Sequence, residues 1–237
     1  MSPRPLPLLP LLPLLLLLSL LLPSSSFCPP RVPAPPPLAA ERRAAERRAA
    51  EWSAWLRRFP AAEAAAAALA RGWIDGFVVP LALCPHAAAA AGATRVAVSR
   101  AATPAELAVD VAEEARRLLS TPGVPTALVA APAWGDLGEF LGAVYALDDG
   151  GTGDPVLDDA VLLAPFHPDF AYEGLDEDSA LNYEKRAPLP LVSILRAEDV
   201  EAAGGEEATR RIAEANEEAL LGRRAGEVKD MFRRLAR

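Results

Sequence analysis

The sequence predicts a single α/β domain, with a mixed sheet of mainly four strands covered by helices, over residues 60–237. Three observations predict this fold class. Short β-branched or apolar runs alternate with helical patterns, a strong capping signal marks one helix start, and about 178 residues after position 59 suffice for one core. The last two strands have no obvious helix between them, which favours a mixed sheet over a fully parallel one.

The first elements follow from spacing and branching. Pro60 opens an Ala-rich stretch in which Leu69, Trp73 and Phe77 recur at helical intervals, so a core helix is predicted there. Four short apolar runs then have the length and composition of strands. The predicted strands cover residues 95–99, 126–131, 161–164 and 191–195.

The remaining helices are marked by caps and by apolar stripes. Thr103-Pro104-Ala105-Glu106 combines an N-cap, a proline at the first helical position and a capping-box glutamate. A second pattern, Leu137 to Val144, predicts a helix that ends before an Asp/Gly loop at 148–154. An apolar stripe closes the chain, formed by Val228, Met231, Phe232 and Leu235.

The first 59 residues differ in composition from the rest. Residues 14–22 form an apolar run interrupted only by Ser19, too short to span a membrane, and we interpret residues 1–26 as a signal peptide. Residues 27–59 are rich in Pro, Ala and Arg and form a transit-like or linker segment. Ser26-Phe27 resembles the junction of a bipartite plastid presequence in algae with secondary plastids. Plastid localisation is therefore expected, with the secretory pathway as the alternative.

Charge excludes some partners. Residues 1–59 contain eight Arg and three Glu, which gives them a net charge of +5. Because the whole chain has a net charge of −8, residues 60–237 have a net charge of −8 − 5 = −13. An acidic domain without a basic stripe is not expected to bind nucleic acid, and no membrane association is expected after processing. The two cysteines, Cys28 and Cys84, lie far apart and do not form a disulfide framework.

The segment 166–190 is a long connection without helical or strand periodicity. Connections in compact domains are usually about 4 to 6 residues long, and longer ones are often functional. Its aromatic residues argue against disorder. We expect the prolines at both ends to shape the loop in advance, and His167, Asn182 and Arg186 to converge on one pocket that Cys84 also lines.

Cys84 is the first candidate for chemistry. It precedes Pro85, where a short helix over residues 86–91 could begin, and a thiol at a helix N-terminus is activated as a nucleophile. The alternative is a small buried hydrophobic residue, because Phe77 to Leu83 is strongly apolar. His86 follows in an Ala-rich segment and is expected to be solvated.

His167 and Asp169 follow the third predicted strand. His167 lies between Pro165 and Pro168, and in extended backbone Asp169 lies on the same side as the imidazole. His167 could act as a general base or metal ligand, with Asp169 orienting it as a base, or its two ring nitrogens could satisfy local carbonyls. No ligand pair has metal-finger spacing, so no metal site is predicted, and the sequence names no cofactor.

Asn182 and Arg186 are the candidate ligand-binding residues. A guanidinium beside an amide could hold a carboxylate or a phosphate. Arg186 also lies in an acidic segment, where it could instead neutralise neighbouring carboxylates.

Three motifs in order carry a resemblance to a known family. They are Leu83-Cys84-Pro85, Phe166-His167-Pro168-Asp169, and Asn182-Tyr183 with Arg186 and Pro188-Leu189-Pro190. Together they resemble the domain-of-unknown-function family 1415 over most of residues 69–222. The resemblance implies a fold and a set of candidate positions, and no activity. The family has Asn and Phe where this chain has Ala82 and His86, and Ser and Tyr where it has Ala187 and Leu189.

Three functions from different classes fit these residues. The first is a thiol-dependent enzyme acting on a small anionic metabolite, with Cys84 as nucleophile, His167 as base, Asp169 as its orienter and Arg186 as the anchor for substrate charge. The second is a non-catalytic small-anion binding protein. The third is a structural or assembly partner.

Overall fold

The fold is seen in a computed structural model that describes residues 60–89, 93–148 and 155–235. The signal and transit predictions for residues 1–59 lie outside the described residues. So do the last residues of the helix predicted over 86–91 and nearly all of the Asp/Gly loop at 148–154. The account of the fold therefore concerns the α/β domain.

Four strands form one open mixed sheet in the order β1-β2-β4-β3. β1 runs parallel to β2, whereas β4 is antiparallel to both β2 and β3. The strands are β1 (Arg95–Val98), β2 (Thr126–Ala130), β3 (Val161–Phe166) and β4 (Leu191–Arg196). The predicted α/β class and mixed sheet are confirmed, and β3 and β4 pair without an intervening crossover helix.

Helices cover both faces of this sheet. In the described residues they are α1 (Pro60–Trp73), α2 (Pro85–Ala89), α3 (Pro104–Ser120), α4 (Leu137–Ala146), α5 (Pro155–Ala160), α6 (Ala197–Ala202), α7 (Gly205–Leu221) and α8 (Ala225–Arg234). A π-helical turn, Ile74–Val78, extends α1, and a 3-10 helix, Ala180–Glu184, lies in the long loop. Among the described residues, no helix is both long and apolar enough to cross a bilayer.

The start of α3 has the predicted capping box. The Thr103 side chain accepts a hydrogen bond from the Glu106 amide, and the Glu106 carboxylate accepts one from the Thr103 amide. At the other end, the buried Arg196 guanidinium donates to the carbonyls of Leu118 and Thr121. These contacts satisfy backbone groups that a helix end otherwise leaves unpaired, and they fix α3 against β4.

The two faces of the sheet bury separate apolar clusters, because side chains alternate along each strand. Face A carries Ala127, Val129, Val192 and Ile194 and packs against α3, α4 and α5. Face B carries Leu128, Ala130 and Leu191 and packs against α1, the π-helical turn, α7 and α8. Consecutive strand residues therefore belong to different clusters, and this alternation decides which candidate side chains meet.

Candidate functional site

The long loop between β3 and β4 is held by its own polar side chains. Asn182 is fully buried, and its Oδ1 accepts from the Tyr172 amide at 3.0 Å. Its Nδ2 donates to the carbonyls of Asp176 and Glu177 at 2.9 and 3.1 Å. Three backbone groups of an irregular segment are thus satisfied by one amide, which gives Asn182 a direct role in ordering the loop.

Arg186 contributes to the same network. Its Nε donates to the Phe170 carbonyl at 2.8 Å, and Nη2 donates to the Glu177 carbonyl at 3.0 Å. The guanidinium carbon lies 5.0 Å from the centroid of the Tyr183 ring. Arg186 therefore binds backbone carbonyls and an aromatic face, and the neighbouring carboxylates that the sequence suggested are not its hydrogen-bond partners in the described chain.

Glu184 and Tyr172 fasten this loop to α7. The Tyr172 hydroxyl donates to Glu184 Oε2 at 2.9 Å, and Asn216 Nδ2 of α7 donates to Glu184 Oε1 at 3.0 Å. Burial, reinforced by the Glu184 charge, raises the pKa of Tyr172 well above its usual range, so the phenol stays protonated and donates. The loop is accordingly packed on the domain, as the aromatic content predicted.

His167 is buried, with 1% of its surface exposed. Its Nε2 lies 3.1 Å from the Trp134 carbonyl, and Nδ1 accepts from the Asp169 amide at 3.1 Å. These partners assign the proton to Nε2. Burial lowers the pKa of His167, although the Trp134 carbonyl and the Asp169 and Asp136 charges oppose the shift. Both ring nitrogens are engaged by the backbone, as in the second arrangement considered above, except that Nδ1 binds an amide and not a carbonyl.

The Asp169 carboxylate lies farther from the His167 ring than the carboxylate of a residue that orients a general base. Its carboxylate Oδ2 lies 4.0 Å from His167 Nδ1, and 77% of its side chain is exposed. The contact that fixes the imidazole comes instead from the Asp169 backbone amide. This geometry gives no support to Asp169 as the third member of a catalytic triad.

The structure does not bring His167 and Cys84 together. The His167 ring packs against Phe140, with ring centroids 5.7 Å apart, in the face A cluster. Cys84 is half-buried and packs against the face B cluster. Direct proton transfer requires contact at about 3 Å, which groups on opposite faces of a sheet do not make. Asn182 and Arg186 share the loop with His167, but their polar groups bind backbone carbonyls and amides.

A charged group on the same face of the sheet as Cys84 is Lys185, which sequence reasoning missed. The Lys185 ammonium is 5.3 Å from the centroid of Phe166, whose side chain is on face B. Burial lowers the pKa of Lys185, and the charges of Glu184 and Cys84 oppose this shift without cancelling it. In the described chain, the Lys185 side chain forms no hydrogen bond or ion pair, and the oxygens of the neighbouring Glu184 accept from Tyr172 and Asn216.

Trp73 adds a second unpaired donor next to the same ring. Trp73 is 4% exposed, and its indole centroid lies 5.2 Å from that of Phe166 in an edge arrangement. Its Nε1 is buried without a hydrogen-bond partner among the described residues. An unsatisfied buried donor costs about 1 to 3 kcal/mol and calls for an explanation. We call Trp73, Cys84, Phe166 and Lys185 the Lys185 cluster.

The turn before Cys84 contains Ala82, one of the positions at which this chain departs from the family pattern. Ala82 has a φ of 55°, in the left-handed region that an alanine adopts at a cost of about 1 to 2 kcal/mol. Its side chain is exposed, and its amide donates to the Val79 carbonyl. Asparagine tolerates this conformation better than alanine does. The asparagine of the family pattern is therefore compatible with the backbone conformation of this turn.

The short helix after Cys84 gives little support to activation by a helix dipole. The described part of α2 has five residues, and His86 on it is half-exposed. The described residues contain no group of three or more His, Cys, Asp or Glu side chains arranged to hold a metal ion. The chemistry available at this end of the sheet is thus that of a thiol, an amine and an indole N–H.

The fold and these groups define an α/β protein with an open mixed sheet. Among the described residues, Trp73 Nε1 and the Lys185 ammonium have no hydrogen-bond partner, and both lie on face B beside Phe166 at the end of β3. The family model described as "Protein of unknown function (DUF1415)" matches residues 65–229, and the chain belongs to this family. No curated protein and no solved structure matches the chain. The resemblance carried by the three motifs is thereby confirmed.

Proposed function

We propose that this protein binds a small anion at the Lys185 cluster. The observation that carries the proposal is the Lys185 ammonium itself, which is half-buried over the Phe166 ring, on the same face of the sheet as Cys84, and forms no ion pair in the described chain. A charge withdrawn from water without a partner is unfavourable, so a positive group kept in that state favours an anionic ligand. Arg186, the anchor expected from sequence, is already occupied by carbonyls.

Trp73 supports the same proposal. Its buried N–H can donate to a ligand oxygen, and it lies against the ring that also contacts Lys185. A site of this kind combines one charge, one neutral donor and apolar walls, which is typical of small-molecule sites. The anion would bind at face B of the sheet, and the loop network around Asn182 would hold Lys185 in place.

A thiol-dependent enzyme is the second candidate function, favoured because Cys84 and Lys185 lie on the same face of the sheet. In this version Lys185 takes the part that sequence reasoning gave to His167, because an amine in contact with a thiol can accept its proton and stabilise the thiolate. Binding and thiol chemistry would use the same cluster. The two functions differ in whether Cys84 is needed. A Cys84→Ser variant that still binds the anion would favour binding without thiol chemistry.

Lys185→Met is expected to raise the free energy of unfolding by about 1 kcal/mol while abolishing ligand stabilisation. Stability should rise because methionine fills a similar volume without a buried charge. Functional residues often reduce stability in this way, so their replacement stabilises the fold and abolishes function. Thermal unfolding of the full chain would be followed with inorganic phosphate, acetate, pyruvate and lactate. A ligand at one hundred times its Kd stabilises by about 2.7 kcal/mol, so binding by the native protein is readily measured.

Lys229→Met is the matched control. Lys229 lies on α8, where it forms a surface ion pair with Asp178, and it is the other lysine of the chain. This variant should keep every ligand-dependent shift of the native protein. If none of the four anions stabilises the native chain, or if Lys185→Met responds as the native chain does, the proposed site is wrong.

We also propose that residues 1–59 direct the chain to a plastid, with the secretory pathway as the alternative. Support comes from Ser26-Phe27 followed by an Arg-bearing, Pro-rich tract. A reporter fused to these residues should reach the plastid of an alga with secondary plastids, and Phe27→Ala should divert it. Unchanged plastid import of the Phe27→Ala fusion would remove the argument for a bipartite presequence.

A further inference from the structure

The two edge strands of the sheet are protected unequally. An edge strand exposes unpaired N–H and C=O groups, and proteins block such edges with proline or with side chains that bind these groups. At the outer edge of β3, the Leu163 N–H donates to Asp148 Oδ1 at 3.3 Å. Pro165, two residues further on, directs its backbone to the same side and has no N–H. The β3 edge is therefore poorly suited to pairing with another strand.

The β1 edge lacks this protection in the described chain. The Ser99 amide, just beyond β1, donates to the Ala130 carbonyl of β2 at 2.7 Å. Because successive residues of a strand alternate in direction, Val96 and Val98 direct their N–H and C=O groups away from β2. None of these four groups forms a hydrogen bond with a described residue. Arg95 is exposed and the rest of β1 is half-buried, whereas β2 is buried throughout, so another strand can reach this edge.

Opposite charges lie at the two ends of β1. At its end, Ser99 Oγ donates to Asp110 Oδ2 of α3 at 2.5 Å, and the half-buried Asp110 carboxylate forms no ion pair in the part of the chain that the structure describes. At its start, Arg95 Nε donates to Glu114 of α3 at 2.5 Å, yet 46% of the Arg95 side chain is exposed. Arg95 and Ser99 are four residues apart and therefore project from the same face of the sheet.

We infer that two copies of this chain pair through β1 as antiparallel strands, related by a two-fold axis at Ala97. In this register Val96 exchanges both backbone hydrogen bonds with Val98 of the partner subunit, and the symmetry gives four such bonds. Every outward backbone group of β1 is then paired. Ala97 meets its own copy at the axis as a non-hydrogen-bonded pair, in which the Cα atoms are only about 4.5 Å apart, a spacing that suits a small side chain.

The charges favour a second copy as the occupant of this edge. The two-fold axis places Arg95 directly opposite Ser99 of the partner subunit, beside the carboxylate that this serine binds. The contact forms twice, because the positive end of each strand meets the negative end of the other. Moving the axis to Val96 or Val98 would separate Arg95 from this carboxylate. One patch that is complementary to itself is what a closed two-fold dimer requires.

Ala97→Cys tests the register on the full chain. Cα atoms about 4.5 Å apart lie within the range that a disulfide spans. Under mild oxidation this variant should form a dimer linked between the two copies of position 97, as shown by non-reducing electrophoresis and peptide mapping. Ala215→Cys is the matched control, since Ala215 is an exposed alanine on α7. Pairing raises the effective concentration of the two thiols, so Ala97→Cys should cross-link at least about tenfold faster.

Analytical ultracentrifugation of the full chain measures the association itself. Val96→Pro removes the outward N–H, a place where edge strands tolerate proline, and two intersubunit hydrogen bonds are lost by symmetry. The dissociation constant of the dimer should therefore rise at least about tenfold. Arg95→Ala should raise it about three- to tenfold. Arg210→Ala should leave it unchanged, because Arg210 is a half-exposed arginine of α7 that pairs with Glu207.

Three results would overturn the inference. They are a native chain that stays monomeric at every concentration reached, a dimer whose dissociation constant is the same in a folded Val96→Pro variant, and equal cross-linking of Ala97→Cys and Ala215→Cys. Association through residues 1–59 would give the second result, because Val96→Pro does not alter that segment. Circular dichroism shows whether each variant is folded. If Val96→Pro does not fold, the comparison of the two cysteine variants decides the question.

Discussion

His167→Ala is expected to lower the free energy of unfolding by about 3 to 5 kcal/mol. The imidazole is buried against Phe140, so its removal leaves a cavity in the face A cluster. It also leaves the Trp134 carbonyl and the Asp169 amide without their partners. Urea denaturation at neutral pH measures the change. His86→Ala is the matched control, because the half-exposed His86 makes none of these contacts and its loss should change stability little.

His167 should also make the stability of the native protein depend on pH. Because burial lowers the pKa of His167 in the folded state, the unfolded chain binds a proton that the folded chain does not. Stability should therefore fall as pH decreases from the unfolded value of about 6.5 towards the lower folded pKa. In His167→Ala this component disappears, and in His86→Ala it persists. A normally stable His167→Ala variant that loses ligand binding would instead indicate a chemical role.

Asn182→Ala is expected to cost about 2 to 4 kcal/mol, because three hydrogen bonds are lost and the Tyr172 amide and the Asp176 carbonyl are left without a partner, while the Glu177 carbonyl keeps Arg186. Hydrogen exchange should also accelerate in residues 168–179, since that segment has little regular structure of its own. Chemical denaturation and amide exchange measure the two effects. The loop carries Lys185, so ligand stabilisation should weaken in parallel.

Glu173→Ala provides the control for Asn182 within the same loop. Glu173 is exposed, and its replacement should change stability by no more than about 0.5 kcal/mol. If Asn182→Ala were as stable as Glu173→Ala but failed to bind the anion, Asn182 would be a ligand contact. The loop network would then be secondary to binding.

The strands and the capping box could be predicted because local chemistry decides them. Thr103 and Glu106 satisfy each other's backbone amides within four residues of sequence, and β2 is apolar throughout because both of its faces are covered. The mixed character of the sheet was predicted from the absence of an obvious helix between the third and fourth strands, which the structure pairs antiparallel. These features depend on short-range patterns and need no knowledge of tertiary contacts.

The helices that the sequence did not reveal are the polar ones. α7 has 17 residues, but only Gly205, Ala208, Asn216 and Leu220 are buried, so its apolar stripe is weak. One inward position is Asn216, which is there to bind Glu184 of the loop. A helix whose buried face includes a hydrogen-bonded amide does not show the periodicity by which helices are recognised.

The candidate site was predictable only in part. Asn182, Arg186 and His167 were predicted to converge on one pocket, but the polar groups that they bind are backbone atoms brought near by folding. Strand alternation could have warned that Phe166 and His167 point to opposite faces. Nothing local indicates that Lys185 lies on the same face of the sheet as Cys84, a hundred residues earlier. The useful signal was compositional, since lysine is rare in this chain.

The most direct test of the central claim, that Lys185 is the ligand-binding group, is lysine footprinting on the native full chain. Reductive methylation with formaldehyde would be timed at Lys185 and Lys229 by peptide mass spectrometry, with and without the anion that stabilises best. The account predicts that the anion slows methylation of Lys185 at least about tenfold, as expected at ten or more times its Kd, and leaves Lys229 unchanged. Equal Lys185 rates with and without a stabilising anion would contradict the account.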